Sequence, residues 1–159
     1  MKLVCLYFVF IALTSEAYAF DFPNKFTIQN IHNNKTRDID LKKTDKVTLL
    51  FYWASWCERC KEALPLITSL QSSSKLKVFG ISVDEDKKNA VTAAKNDYRT
   101  ILRQYWTGKK TLDDLKIEQI PLIILIKKDG RIDTVYEGSQ ADKMAYLSKR
   151  IRYLTSGEE

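Results

Sequence analysis

The sequence predicts an α/β fold in which a central sheet is covered on both faces and is preceded by an N-terminal β-hairpin. Three observations carry this expectation. Val47–Trp53 is a continuous apolar run with β-branched and aromatic residues, as in a strand buried on both faces. Further strand-like runs at 77–83 and 122–126 alternate with stretches whose apolar residues recur at helical spacing. The chain then closes on a hairpin signal and a last amphipathic segment.

Each element has its own signal. Residues 26–31 and 37–41 alternate in polarity around the turn composition His32-Asn33-Asn34-Lys35, which predicts the hairpin. After the buried strand, Ala63, Leu64, Ile67 and Leu70 mark a helix over 60–70, ended by Ser72-Ser73-Ser74. Ala90, Ala94, Tyr98, Ile101 or Leu102, and Tyr105 form one stripe of a helix of several turns. Asp84, Glu85 and Asp86 would complement the dipole at its start. Residues 112–117 suit a short helix. Asp129-Gly130 predicts a turn into a returning strand over 131–136. Ser139 and Asp142 fit a capping box before a helix that buries Met144, Leu147, Ile151 and Leu154.

Composition narrows the function. A chain of 159 residues, 45% hydrophobic and 29% charged, suits one folded domain. One histidine excludes a multi-histidine metal centre, and three cysteines are too few for a disulfide scaffold. The net charge of +6 is spread over isolated pairs such as Lys42-Lys43 and Lys109-Lys110, with no nucleic-acid-binding motif, so no nucleic acid partner is expected.

The first residues read as an address. Lys2 precedes an apolar run from Leu3 to Leu13, and Ala17-Tyr18-Ala19 has small residues where a signal peptidase cuts. Residues 1–19 are expected to be a cleaved signal peptide, leaving 20–159 as one exported domain. The alternative is an uncleaved N-terminus that tethers the protein to the membrane. Cleavage would remove Cys5 and leave one cysteine pair, Cys57 and Cys60.

That pair carries the chemistry. It follows a buried strand and opens a helix, in Trp53-Ala54-Ser55-Trp56-Cys57-Glu58-Arg59-Cys60. Unpartnered N–H groups and the helix dipole stabilise a sulfur anion there, so a thiolate forms near neutral pH. Cys57, at the helix end, is expected to be exposed and nucleophilic, and Cys60 more buried and resolving. Arg59 would stabilise the thiolate and Glu58 would oppose it. Other readings of the pair are a structural disulfide, half of a zinc site, or a Cu(I) site of two soft thiolates.

Trp53-Ala-Ser-Trp56-Cys57-x-x-Cys60-Lys61, with Pro65 five residues on, resembles the active site of the thioredoxin superfamily. Ile120-Pro121 before an all-aliphatic strand resembles that family's cis-proline loop. The hairpin, the export signal and Gly80-Ile81-Ser82-Val83-Asp84 are similar to the TlpA/ResA-like branch of extracytoplasmic thiol–disulfide oxidoreductases. The resemblance covers roughly residues 47–154. It implies a thioredoxin-like fold with a mixed sheet, and a periplasmic reductant acting on cytochrome c maturation or copper-site thiols. Rival directions are a dithiol oxidase or isomerase, and a Cu(I)-binding module. It further implies a cis bond before Pro121, pairing of the Ile120 backbone with a substrate chain, and a shielding role for Trp56 over the cysteines. Protein thiols or disulfides would be the substrates, a membrane-embedded protein the electron partner, and the protein a monomer. No cofactor beyond the Cys57–Cys60 couple is expected.

Two positions depart from the pattern. Most thioredoxins carry a buried Asp six residues before the first cysteine, where this chain has Phe51. ResA-like proteins carry a Glu three residues after the second, where this chain has Ala63. Glu62 would point about 100° away on an ideal helix.

Overall fold

The computed structural model describes residues 22–138 and 141–156, with backbone alone for 141 and 142. The export signal and the Ser139–Asp142 capping box lie outside what is described.

Seven strands form one mixed sheet in the order β2-β1-β5-β4-β3-β6-β7. The N-terminal hairpin pairs β1 (Lys25–Asn30) with β2 (Thr36–Asp40). Its turn is closed by Asn30, whose side-chain oxygen accepts from the N–H of His32 at 2.9 Å and of Asn33 at 3.1 Å. At the centre, every residue of β3 (Val47–Trp53) is buried. β3 pairs parallel with β4 (Leu76–Ser82) and antiparallel with β6 (Leu122–Ile126), so both of its edges are satisfied inside the sheet. β7 (Ile132–Glu137) closes one edge, after a turn in which Gly130 takes φ +83°. A Cβ there would lie 2.3 Å from the Leu41 carbonyl oxygen, so only glycine fits.

The crossover from β3 to β4 is α1 (Glu58–Leu70), and that from β4 to the parallel strand β5 (Gln104–Trp106) runs through α2 (Lys87–Asn96). Right-handed crossovers place both helices on one face. There Lys61 of α1 pairs with Asp97 at 3.4 Å, and the Thr68 and Thr100 hydroxyls meet at 2.9 Å. The last helix, α4 (Ala141–Ser156), packs against α1 with Leu147, Ile151 and Leu154 buried. The other face is covered around Tyr52 by Phe22, Phe26 and α3 (Lys110–Asp114).

The expected helical stripe through Tyr105 is corrected. α2 ends at Asn96, and Tyr105 lies on β5, while Leu102 is 74% exposed. Gln104 instead holds the segment that follows the helix. Its side chain is buried and donates to the carbonyls of Ala94 (3.3 Å) and Tyr98 (2.5 Å), while His32 Nε2 lies 3.0 Å from its oxygen. The three-residue strand then completes the sheet by joining β4 to β1. Gly80 on β4 permits close packing below the turn: a Cβ there would stand 2.8 Å from Ile101 Cγ2.

One ion pair pins α4 to the sheet edge. The Asp133 side chain on β7 is only 2% exposed and accepts from Arg150 Nε at 2.8 Å and Nη2 at 2.5 Å. The Arg150 hydrogen bonds hold the Asp133 carboxyl below its ordinary value of 3.8. An acid with a lowered folded pKa stabilises the fold above the unfolded value, and that stability is lost as pH falls through the folded one. Arg150→Met is therefore expected to cost about 2–3 kcal/mol at neutral pH, because it leaves a buried charge. Urea unfolding should show wild type and variant converging in strong acid. A gap that is the same at pH 7 and in acid would refute the ion-pair account.

Candidate active site

Trp53 ends the central strand, and residues 54–57 turn the chain into α1. Trp53 is fully buried and stacks on the Tyr98 ring at 3.8 Å, as expected of a core aromatic. Cys57 is the N-cap of α1, with extended backbone at φ −91° and ψ 94°. Cys57 and Cys60 are joined in a disulfide, with Cα atoms 5.3 Å apart. The Cys57 Sγ accepts from the Cys60 N–H at 3.1 Å. In the reduced protein a thiolate at this sulfur would receive the same N–H at the positive end of the helix.

The exposures refine the expected asymmetry. Cys60 is fully buried, but Cys57 is only 5% exposed, much less than its place at the helix end suggested. The reason is the turn itself: Cys57 N donates to the Ala54 carbonyl at 3.1 Å, which folds the cap back onto the strand end.

Trp56, expected to shield the cysteines, lies largely at the surface. It is 65% exposed. It forms one wall of a groove of about 240 Å³ with Arg59, Leu112, Ile117, Glu118, Gln119 and Ile120. The groove thus brings the first turn of α1 to the segment before β6, where the Ile120–Pro121 bond is cis. Glu58 is 78% exposed and bonded to Lys61 at 2.9 Å, so its charge is largely answered by a cation and by water. Arg59 is exposed. Phe51 and Ala63 are both buried, and Glu62 is exposed on another side of α1 from Ala63. Among the described residues no cluster of three or more potential ligands could hold a metal ion.

Sequence reasoning missed Asp84. It is not part of a helix start: α2 begins at Lys87, and Asp86 caps it by accepting from Lys88 N at 2.8 Å. Asp84 is 1% exposed, and its carboxylate accepts from Ser55 N (3.0 Å), Ser55 Oγ (2.6 Å) and Ser82 Oγ (2.8 Å). The signal was an acidic residue directly after an apolar strand that carries a serine, Ser82.

Comparison with known proteins agrees with this geometry. A family model described as thioredoxin-like matches residues 45–132, which spans the strand, the cysteine pair, α1 and the β6–β7 turn. The chain belongs to the thioredoxin-like family. It is 24% identical to the thiol-disulfide oxidoreductase ResA of Bacillus subtilis over 144 residues, 87% of this chain and 77% of that one. It is 29% identical to a thioredoxin-like protein of Haemophilus influenzae, over 72% of this chain and 68% of that one. StoA of Bacillus subtilis shares the fold, with a TM-score of 0.61 at 18% identity over 80% of this chain and 96% of that one. A thiol:disulfide interchange protein of Chlorobium tepidum does so with a TM-score of 0.65 at 19% identity, over 83% and 94%. This thioredoxin-like chain is of the TlpA/ResA type, and its enzymatic class is thiol–disulfide oxidoreductase.

Proposed function

We propose that the protein is an exported reductant of protein disulfides, with Cys57 as nucleophile and Cys60 as resolving residue. The observation that carries this reading is the Cys57 sulfur at the helix cap, 3.1 Å from the Cys60 N–H, beside an open apolar groove. In the reduced protein the Cys57 thiolate attacks one sulfur of a substrate disulfide. The substrate S–S bond breaks, and the departing sulfur takes up a proton. Cys60 then gives up its thiol proton and its thiolate attacks Cys57 Sγ; the mixed disulfide breaks, the second substrate sulfur leaves and takes up a proton, and the Cys57–Cys60 bond forms. Two electrons leave the protein in each cycle, so the couple needs no cofactor but does need a donor. A membrane-embedded partner suits an exported protein acting as a monomer at the periplasmic surface. The likeness to ResA supports cytochrome c maturation or copper-site thiols as the setting.

The direction is tested by equilibration with glutathione. A reduction potential of about −270 mV fits a reductant, and one of about −120 mV identifies an oxidant and overturns this reading.

The groove supplies substrate binding. The Ile120 backbone, next to Pro121, would pair with an extended substrate segment, and Trp56 would cover its apolar residue. Trp56→Ala is expected to raise KM for a peptide disulfide about fivefold to tenfold with kcat nearly unchanged, as when uniform binding is lost. An unchanged KM would remove Trp56 from the binding surface.

A further inference from the structure

We propose that Ser55–Asp84 and Tyr98 are two tethers that hold the 54–57 turn so that the Cys60 N–H stays aimed at Cys57 Sγ, and thereby set how acidic Cys57 is. The inference rests on Cys57 being the reacting cysteine.

Both tethers converge on the same four residues from different elements. From the end of β4, Asp84 grips Ser55 through both its N–H and its hydroxyl. A buried carboxylate is costly unless its acceptors are filled, and here all the donors it receives are Ser55 and Ser82 groups. The Asp84 backbone is braced in turn, its carbonyl accepting from Trp106 Nε1 at 2.8 Å. From just beyond α2, the Tyr98 hydroxyl donates to the Ala54 carbonyl at 3.0 Å and approaches the Cys57 carbonyl at 3.4 Å. The Tyr98 ring is itself fixed by its stack on Trp53. Ser55 is thus held from one side, and Ala54 and Cys57 from the other.

A fixed turn matters because a hydrogen bond weakens steeply with distance and angle. Among the described residues the Cys60 N–H makes the one hydrogen bond to Cys57 Sγ, and donors to a thiolate are what lower its pKa. The charged and titratable groups around the turn are Glu58, Arg59 and Lys61 on α1, Asp97 and Tyr98 beyond α2, Asp84 after β4, and Glu118 across the groove. Ser55→Ala and Tyr98→Phe alter none of the formal charges at neutral pH, because burial raises the Tyr98 phenol further above its already alkaline value.

The test is the pH dependence of Cys57 alkylation by iodoacetamide in the reduced protein, read by mass spectrometry, beside thermal unfolding. Ser55→Ala and Tyr98→Phe are each expected to move the Cys57 profile alkaline by about half a pH unit, so alkylation near pH 6 slows about threefold. Ser55→Thr keeps the hydroxyl and should restore the wild-type profile. Ser55 is partly exposed, so its alanine variant is expected to fold even if Tyr98→Phe does not. Wild-type profiles in both variants, with only thermal stability lowered, would overturn the inference and leave the nucleophile assignment standing. An ordinary alkaline profile for Cys57 in the wild type would overturn both together.

Discussion

Cys60→Ser is expected to accumulate mixed disulfides with substrate proteins, while Cys57→Ser accumulates none. The argument is positional. Cys57 caps α1 and receives the Cys60 N–H, so in the proposed reading it is the sulfur that would be favoured as an anion once the disulfide is reduced. Cys60 is fully buried one turn further on and can reach only what is already joined to Cys57. Removing Cys60 leaves attack intact but blocks release, so the covalent intermediate persists. Removing Cys57 stops attack, and disulfide reductase turnover falls by on the order of 10³-fold or more, as when other enzymes lose a nucleophile. Non-reducing electrophoresis of the two serine variants, with reductant reversing the adducts, reads the outcome. Equal trapping by Cys57→Ser would reverse the assigned roles. If the Trp56–Ile120 groove binds substrate as proposed, the low exposure of Cys57 favours substrates that present their disulfide on an extended or locally unfolded segment.

The elements with a strong period were legible in the sequence, and so was the chemistry. β3 declared itself because seven successive residues are buried, and no amphipathic pattern competes with such a run. The cysteine pair declared itself because strand, turn and helix start together give C-x-x-C a physical role. β5 was hidden. Tyr105 continues the spacing of the α2 stripe, and the contact that goes with the strand instead, Gln104 folding back on Ala94 and Tyr98, is not written in that spacing. Asp84 was hidden for the same reason. An acidic triplet before a helix has a local explanation in the dipole, and nothing local says that the first member turns inward to Ser55. The placement of Trp56 was hidden too: the motif does not fix the side on which the ring lies, and 65% of the residue faces solvent. Local patterns are written in helical and strand spacing, while these features depend on contacts that such spacing does not encode.

Phe51→Asp should strongly destabilise the protein, and increasingly so as pH rises. Phe51 is fully buried on the central strand, between Gly80 of β4 and Ile123 of β6. Removing its ring costs about 3–5 kcal/mol, and burying a carboxyl without a partner adds several more. Together these approach the whole stability of a typical domain, about 5–15 kcal/mol. Burial would raise the carboxyl's folded pKa above the unfolded value. For an acid shifted that way, stability declines as pH climbs from the unfolded pKa, about 3.9, until the folded pKa is passed. Denaturant titrations at pH 5 and pH 8 should therefore show a larger deficit at pH 8. Phe51→Leu, which keeps the site apolar, should lose only about 1 kcal/mol with no such slope. If Phe51→Asp instead matched the wild type at pH 8, water would have to reach the strand beneath Cys60, and the dry core around Phe51, Trp53 and Ala63 would be wrongly drawn. Phe51 and Ala63 stand where related proteins carry acids, and both are buried and apolar, so neither position offers Cys60 a carboxylate.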